Sequence, residues 1–381
     1  MDKAESRPAA KTGAGLEGVV AAESAIGDVD GLNGVLIYQG LNIHDLAEHS
    51  NFEETVYLLW HGRLPKRDEL DALRRELAAN LRLPAEVLAL MRSFPAEAEP
   101  MDALRTAVSA LAFYDEGARD LTRVGALRTA TKLTAQLPVV VAALERLRKG
   151  EEPVEPREDL NLASNFLYML KGEAPSEREA RIFDVCLVLH ADHELNASTF
   201  TSRVIAGTLA DMYGAVTGAI AALSGPLHGG ANTNVMKMLL EIGEPGRAEE
   251  WLREALATKK KIMGFGHRVY KTEDPRSVWL RRFSRELAEG KGETRWIEIL
   301  ERLREQMFAE KKLYPNVDYY SGSAYYLMGI PLDLFTPIFA VSRISGWTGH
   351  VLEQYANNRL IRPRAEYVGP RGVPYVPIDE R

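Results

Sequence analysis

Residues 259–276, KKKIMGFGHRVYKTEDPR, combine a surplus of basic side chains with two glycines and one histidine, in a chain whose net charge is −7. Gly264 and Gly266 interrupt helix formation and let backbone approach a ligand closely, and His267 follows them directly. Val269 stands where a dinucleotide-binding fingerprint needs its third glycine, so that motif is excluded. The stretch therefore indicates a site for a small polyanion, with a solvated basic loop as the alternative.

A second histidine, His228, lies in the segment GPLHGGAN (residues 225–232), between a run of small residues and a predicted helix. Glycine supplies no packing, so this is a poor environment for a core histidine, although a structural role stays open. Backbone N–H groups at a helix N-terminus favour the neutral imidazole, which can still donate one hydrogen bond. We therefore consider His228 a candidate functional residue.

One carboxylate and three arginines complete the set of candidate groups. Asp318, in PNVDYYSGS, is flanked by apolar and aromatic residues in a predicted loop, where a turn or capping aspartate is the alternative. Arg343, Arg359 and Arg362 carry the planar fork that binds carboxylates, although each taken singly is also typical of a surface residue. With the two histidines, these groups are what is needed to remove a proton next to a carbonyl and to hold polyanionic reactants.

Two further histidines raise the question of a metal site. His190 and His193, in HADHELNAST, would share one face of a helix. The HExxH pattern of zinc proteases is absent, and no cysteine joins the pair. We therefore prefer histidines that line a helix, one of them reaching a ligand, and we expect no metal.

Composition is that of an ordinary globular protein, because 46% of the 381 residues are hydrophobic and 27% are charged. The length allows two domains. The acidic balance argues against a role in binding nucleic acid. The lone Cys186 lies in an apolar run and is expected to be a buried thiol.

Two segments bear on where the protein is located, residues 1–15 and residues 205–223. The first segment has no apolar core, so we expect a disordered tail, no secretory signal and a cytoplasmic protein. The second holds a single charge, Asp211, but consists largely of Ala, Gly and Thr. It is expected to be a buried core or interface helix and not a membrane span.

Hydrophobic periodicity predicts which elements position these groups. Short β-favouring pieces alternate with glycine and aspartate over residues 16–40, and the pattern is helical almost everywhere else. We predict an all-α fold with a minor N-terminal β-hairpin or meander. Continuous helices are predicted over residues 177–195 and 199–223, and Pro138 should kink or divide the helix over residues 127–147.

Taken in order, the motifs resemble those of the citrate synthase family over nearly the whole chain. They are GLEGV, FEETVYLLWHGRLP, NFLYML, HADHELNAST, GPLHGGAN, GFGHRVYKTEDPR, PNVDYYSG, FTPIFAVSRISGW and NNRLIRP. The length and the form GFGHRVYK are similar to the compact, dimeric bacterial and archaeal type. The resemblance implies an all-α citrate synthase fold, with a large domain of residues 16–222 and 323–381 and an inserted small domain of residues 223–322.

The family's catalytic trio falls on His228, His267 and Asp318. The resemblance implies that Asp318 removes a methyl proton from acetyl-CoA while His228, neutral, donates a hydrogen bond to the thioester oxygen. His267 is implied to donate to the carbonyl of oxaloacetate as the enol carbon attacks it. Citryl-CoA is then hydrolysed to citrate and CoA, which is the first step of the tricarboxylic acid cycle.

The family's ligands for oxaloacetate and citrate map to His193, Arg276 and Arg343, and Arg362 is expected to reach in from the second subunit of a homodimer. Residues 362–381 contain four prolines and should form an extended arm. A coenzyme A thioester is the expected co-substrate, with no permanently bound cofactor. Its candidate contacts are Lys259, Lys260, Lys261, Gly264, Gly266, Arg268 and Lys271.

The residues leave the acyl chain open, so 2-methylcitrate synthase, which uses propionyl-CoA, is the alternative to citrate synthase. A non-catalytic relative that binds CoA or a dicarboxylate is a further alternative, which the retention of all three catalytic positions disfavours. The segment GGANTNVM differs from the GGANEAVM common in the family. Thr233 and Asn234 follow the motif, so we expect the chemistry to be intact.

Overall fold

A computed structural model describes residues 14–16 and 18–381 of the chain. The tail predicted for residues 1–15 lies, except at its last two positions, outside the described residues. Three strands form one antiparallel meander in the order β1, β2, β3, and they span Gly27–Asp30, Val35–Tyr38 and Leu41–Asn42. Alternate residues of β2, Leu36 and Tyr38, are fully buried against the helices. The predicted meander is therefore present, although its strands begin at Gly27 and not near residue 16.

The other regular structure of the described residues is helical, mostly α-helix with a few 3-10 turns, which confirms the predicted all-α class. The helices α1 to α16 span, in order, Ile43–His49, Phe52–His61, Arg67–Ala79, Ala85–Arg92, Pro100–Leu111, Arg123–Arg148, Leu162–Lys171, Glu177–His190, Ala197–Ala206, Met212–Leu223, Ala231–Ile242, Ala248–Ala257, Pro275–Lys291, Arg295–Lys311, Val317–Leu327 and Phe335–Ala356.

Two predicted helices are shorter than the periodicity indicated. The helix expected over residues 177–195 ends at His190, and the helix expected over residues 199–223 is divided into α9 and α10. Asp211 divides the second helix, because its side chain caps α10 by accepting from the N–H of Gly214. The first helix ends where the N–H of Asp192 donates to the hydroxyl of Tyr38, at 3.2 Å, and not to a carbonyl of α8. A capping side chain starts a new helix where apolar periodicity alone would continue the old one.

Two other local predictions need correction. Pro138 does not divide α6, which runs from Arg123 to Arg148 with most of its middle residues buried, and the kink expected as the other outcome stays a prediction. Asp318 does not lie in a loop, since it occupies the first turn of α15, where the side chain of Asn316 accepts from its N–H. In both cases tertiary packing and capping outweighed the residue preferences that suggested a break.

The last helix, α16, is the core of the molecule and is buried over nearly its whole length. It packs against α2, α6, α8, α9 and α10, whereas α11 to α15 pack mostly on one another. That grouping agrees with a small domain of residues 223–322, and the division into two domains stays a prediction. Among the described residues no helix is long and apolar enough to cross a membrane.

Close contact between α16 and the segment after α8 depends on Gly346. A Cβ atom added at Gly346 would overlap the carbonyl oxygen of Ala191 and lie 2.7 Å from Oδ1 of Asp192. We predict that Gly346→Ala lowers the free energy of unfolding by about 1–3 kcal/mol, as expected for an overpacked core. Urea unfolding followed by circular dichroism measures the change. The control is Gly290→Ala in α13, where the added methyl meets open space and the helix should be unchanged or slightly stabilised. Equal midpoints for the two variants would contradict the prediction.

Candidate active site

Three segments that follow helices bring the predicted histidines together. His193 follows α8, His228 lies between α10 and α11, and His267 lies between α12 and α13. The rings of His193 and His267 are 5.2 Å apart between centroids. Arg343 of α16 lowers the pKa of His228 and opposes the raised pKa of Asp318 in α15, so these side chains lie in the same region of the fold.

His228 is held so that one of its ring nitrogens is free to donate. Its Nε2 accepts a hydrogen bond from the backbone N–H of Ser198, at 3.3 Å, and lies 2.8 Å from the Oγ of the same residue. Because Nε2 is the acceptor, the proton of the neutral ring is on Nδ1. Burial, assisted by Arg343, lowers the pKa of His228 to about 4, so the ring is neutral at pH 7.

His267 has the opposite tautomer, again because backbone N–H groups donate to one of its ring nitrogens. Its Nδ1 accepts from the backbone N–H groups of Val269 and Tyr270, each at 3.0 Å, so the proton is on Nε2. Burial, followed by the charge of Arg276, lowers the pKa of His267 to about 4. Both histidines are therefore neutral single donors with an orientation set by backbone amides.

Asp318 is the carboxylate among the candidate residues. The residue as a whole is partly exposed, but its Oδ1 is fully enclosed and has no hydrogen-bond partner among the described residues. Burial raises the pKa of Asp318 to about 7, with Arg276 and Arg343 acting against this and Asp274 adding to it. A carboxylate whose pKa is near neutrality is a stronger base than an ordinary aspartate.

The two buried arginines are held by different contacts. Arg276, in the first turn of α13, forms a bidentate ion pair with Asp274, at 2.9 Å from Nε to Oδ1 and 2.7 Å from Nη2 to Oδ2. Arg343 donates from Nε to the carbonyl oxygen of His190, at 2.7 Å, and its guanidinium lies 4.7 Å from the ring centroid of Phe339. Burial lowers the pKa of Arg343 to about 10. Each fork keeps part of its donor set for an anionic ligand.

His190 is not paired with His193. It ends α8, its Nδ1 bonds to the carbonyl oxygen of Cys186 at 2.8 Å, and its ring packs edge-on to Phe339. His193 lies beyond the helix end, so the shared helix face expected from the sequence does not form. Within the part of the chain that the structure describes, no group of three or more His, Cys, Asp or Glu residues could hold a metal ion.

The remaining predicted residues lie outside this cluster of charged groups. The cationic candidates for coenzyme A binding are exposed, and they are Lys259, Lys260, Lys261, Arg268 and Lys271. Lys260 is engaged elsewhere, since its Nζ lies 2.7 Å from Glu241 and over the ring of Trp251. Arg359 and Arg362 are exposed on the chain that follows α16.

Gly264 and Gly266 are required by the backbone itself. Both have positive φ values, 80° and 77°, and a Cβ atom at Gly264 would lie 2.6 Å from the ring of Tyr319. Their segment is attached to the start of α15 by hydrogen bonds from Asn316 to the carbonyl oxygens of both glycines. Glycine at these positions therefore brings His267 close to the helix that carries Asp318.

Sequence reasoning missed the residues that orient the candidates, namely Asp274, Ser198 and Tyr270. A signal existed for Asp274, because an aspartate before a proline is typical of a helix start, and here it caps α13. The contacts of Ser198 with His228 and of Tyr270 with His193 join segments remote in sequence. No local pattern could have revealed them.

The candidate site combines a carboxyl of raised pKa, two neutral histidines and two buried arginines, which is the set of groups that an enzyme of acid–base chemistry needs. The family model described as "Citrate synthase, C-terminal domain" matches residues 15–364. The chain belongs to the citrate synthase family, as the motifs predicted.

Individual relatives agree with that assignment. Citrate synthase 2 of Bacillus subtilis is 54% identical, with 96% of this chain and 98% of the relative covered, and citrate synthase of Haloferax volcanii is 52% identical over the same shares. A solved citrate synthase from Thermoplasma acidophilum, described as a ternary complex with carboxymethyl coenzyme A and oxaloacetate, aligns with a TM-score of 0.91 at 34% identity, covering 97% of this chain and 99% of that one. A protein named 2-methylcitrate synthase 1, from Corynebacterium glutamicum, is 43% identical over 96% of this chain and 98% of the relative.

The raised pKa of Asp318 predicts a pH-dependent effect on stability. The carboxyl has an ordinary value of 3.8 and a folded value of about 7, so folding favours its protonated form. The contribution of this carboxyl to the free energy of unfolding is therefore greatest below about pH 4, and it is lost as the pH rises to about 7. The melting temperature of Asp318→Asn relative to the unsubstituted protein should therefore rise between these pH values and then level off.

Asp333→Asn provides a control of opposite sign. Its hydrogen bond to Arg148 lowers the pKa of Asp333, so this group stabilises the fold at neutral pH and loses that effect as the pH falls. Thermal melts of both variants from pH 2 to pH 8 measure the two trends, because the contribution of Asp333 changes only below its ordinary pKa of 3.8. If the melting temperatures of Asp318→Asn and the unsubstituted protein differ by a constant amount across this range, the carboxyl is not buried as a neutral acid.

Proposed function

We propose that this protein is a citrate synthase that condenses acetyl-CoA with oxaloacetate and hydrolyses citryl-CoA to citrate and CoA. The observation that carries the proposal is the enclosed Oδ1 of Asp318, on which two buried arginines act. One of them also acts on His267 and the other on His228, and each histidine is held as a neutral single donor. The proposal also keeps the cytoplasmic location predicted from the sequence.

The first step is removal of a proton from the methyl group of acetyl-CoA. Asp318 accepts the proton, and negative charge develops on the thioester oxygen. The Nδ1–H of His228 donates a hydrogen bond to that oxygen, which stabilises the enolate or enol. A base with a pKa of about 7 and a preorganised donor act together, so neither group has to lower the barrier to proton removal alone.

The second step forms the carbon–carbon bond. The Nε2–H of His267 donates to the carbonyl oxygen of oxaloacetate, which makes the carbonyl carbon more electrophilic. The enol carbon attacks this carbon, and citryl-CoA results when the former carbonyl oxygen becomes a hydroxyl. The proton removed from the methyl group balances the proton of this hydroxyl. Water then cleaves the thioester, giving citrate and free CoA.

The buried arginines are opposite in charge to the carboxylates of the substrate. Arg276 and Arg343 are assigned to the carboxylates of oxaloacetate, with His193 beside them. Coenzyme A enters as a co-substrate, and the exposed cations Lys259, Lys261, Arg268 and Lys271 are better placed for its phosphates than Lys260, which is paired with Glu241. Gly264 and Gly266 shape the backbone of the same segment.

Substitution of the proposed base tests the function. Asp318→Asn should bind oxaloacetate, because the arginines remain, but turnover should fall by at least about 100-fold, since the amide cannot accept the proton. Free thiol release from acetyl-CoA in the presence of oxaloacetate measures turnover, and calorimetry measures binding. Asp102→Asn, on the exposed face of α5, is the matched control. Turnover of Asp318→Asn within about threefold of the control would remove Asp318 from the role of base.

2-Methylcitrate synthesis is the second candidate, because relatives with that name align over 96% of the chain. Propionyl-CoA adds one methylene to the acyl group, which a pocket discriminates by about 1–3 kcal/mol, or roughly 10- to 200-fold. We expect kcat/KM to be higher for acetyl-CoA by a factor in this range. A higher kcat/KM for propionyl-CoA, measured with the same thiol assay, would make the protein a 2-methylcitrate synthase.

A homodimer in which Arg362 completes the partner's site is also part of the proposal. Arg362 is exposed and starts the proline-containing arm after α16, so its guanidinium is free to extend away from its own core. Losing the partner of a desolvated carboxylate costs about 2–5 kcal/mol in binding. Arg362→Ala alone should therefore weaken oxaloacetate binding strongly.

Mixing two inactive variants, His267→Ala and Arg362→Ala, tests whether the site is shared. In a heterodimer one site collects both defects and the other collects neither, so subunit exchange should restore thiol release. The homodimers of each variant, carried through the same exchange, are the controls. Heterodimers that form and stay inactive would show that Arg362 serves the site of its own subunit.

A further inference from the structure

One tyrosine packs against both of the histidines assigned to oxaloacetate. Tyr270 is 3% exposed, and its ring centroid is 4.6 Å from that of His267 and 5.5 Å from that of His193. It belongs to the segment between α12 and α13 that also carries His267. A single residue therefore touches two groups that come from different parts of the chain.

Tyr270 contacts the two histidines through different atoms. Its backbone N–H donates to Nδ1 of His267, at 3.0 Å, and its phenol oxygen lies 3.3 Å from Nε2 of His193. The first contact would survive any substitution that keeps the backbone in place. The second depends on the hydroxyl alone, so Tyr270→Phe removes it and leaves the ring and the backbone contact.

The phenol contact is the one through which His193 is oriented. Burial raises the pKa of Tyr270, so the hydroxyl keeps its proton, and burial together with Arg276 holds the pKa of His193 well below its ordinary value. A neutral imidazole and a neutral phenol form a hydrogen bond that fixes the plane of the ring. Among the described residues, this is the only hydrogen bond of the Tyr270 hydroxyl.

We propose that Tyr270 is a positioning residue that orients His193 through its phenol and thereby sets the affinity for oxaloacetate. This inference rests on the proposed function, in which His193 binds a substrate carboxylate. A ring that is already held in one orientation loses less conformational freedom when the ligand binds. Because the backbone N–H of Tyr270 holds His267 independently, the effect falls on binding of oxaloacetate and not on polarisation of its carbonyl.

The first experiment needs no substrate. In protein labelled at the Cε1 carbon of its 8 histidines, NMR of the ligand-free form resolves the ring resonances, and His193→Ala assigns the one of interest. Tyr270→Phe should shift the His193 resonance and leave that of His228 unchanged. An unchanged His193 resonance would overturn the proposal, whether or not the protein is a citrate synthase.

The second experiment measures oxaloacetate affinity by calorimetry in a double-mutant cycle. Loss of one hydrogen bond should weaken binding about 2- to 10-fold in Tyr270→Phe, and this loss should disappear when His193→Ala is already present. At saturating oxaloacetate, kcat should stay within about twofold of the unsubstituted protein, since no reacting atom loses a donor.

Tyr213→Phe in α10 is the matched control, because it removes an equally buried phenol, bonded to Asp115 at 3.0 Å, outside the site. It should leave oxaloacetate affinity unchanged. An equal effect of Tyr270→Phe with and without His193 would show a general structural role and overturn the proposal. Failure of the unsubstituted protein to bind oxaloacetate would instead overturn the proposed function, while the NMR result still decides the contact between Tyr270 and His193.

Discussion

The buried ion pair between Asp274 and Arg276 is the interaction on which the geometry of the site depends. Asp274 accepts from Nε, Nη2 and the backbone N–H of Arg276, and its Oδ2 also accepts from the N–H of Val317, at 3.2 Å. The pair thus ties the first turn of α13 to the first turn of α15, which carries Asp318. Removal of one partner from such a pair leaves a buried charge without compensation, which costs about 3–5 kcal/mol. One carboxylate therefore holds both the cation proposed to bind substrate and the helical turn that carries the proposed base.

Desolvation is the common cause of the opposite pKa shifts of the histidines and the aspartate in the candidate site. It disfavours the charged form of every group, so it lowers the pKa of His228 and His267 to about 4 and raises that of Asp318 to about 7. Near pH 7 the histidines are neutral donors, and the aspartate is close to the balance between base and acid. The assignment of roles follows from the environment and not from the ordinary chemistry of the side chains.

The segment that carries His193 is held by a second buried network. Oδ1 of Asp192 lies 3.2 Å from Nε2 of His350 in α16, and Nδ1 of His350 lies 3.3 Å from Nη1 of Arg203 in α9. Because arginine can only donate, His350 accepts at Nδ1 and donates from Nε2 to Asp192. The hydroxyl of Tyr38 in β2 donates to the carbonyl oxygen of Asp192, at 2.9 Å. The small sheet, α9 and α16 therefore share in positioning a residue of the site.

Much of this protein could be predicted from the amino-acid sequence, because the signals are local. Helical periodicity predicted the all-α class, the order of motifs identified the family, and glycine flanking His228 and His267 marked both as functional candidates. The predicted boundaries failed after His190 and at residues 207–211, where a side chain takes a backbone N–H that helical periodicity would have kept in the helix. These side chains are Tyr38, which accepts from Asp192, and Asp211, which accepts from Gly214.

Tertiary structure alone decided how the candidates act. The tautomers of His228 and His267 depend on the amides of Ser198 and Tyr270, and the protonation of Asp318 depends on enclosure by helices distant in sequence. Hydrogen-bond direction and desolvation are properties of three-dimensional surroundings. The sequence therefore determines which groups are available, whereas the folded chain determines which of them donates, which accepts and at what pH.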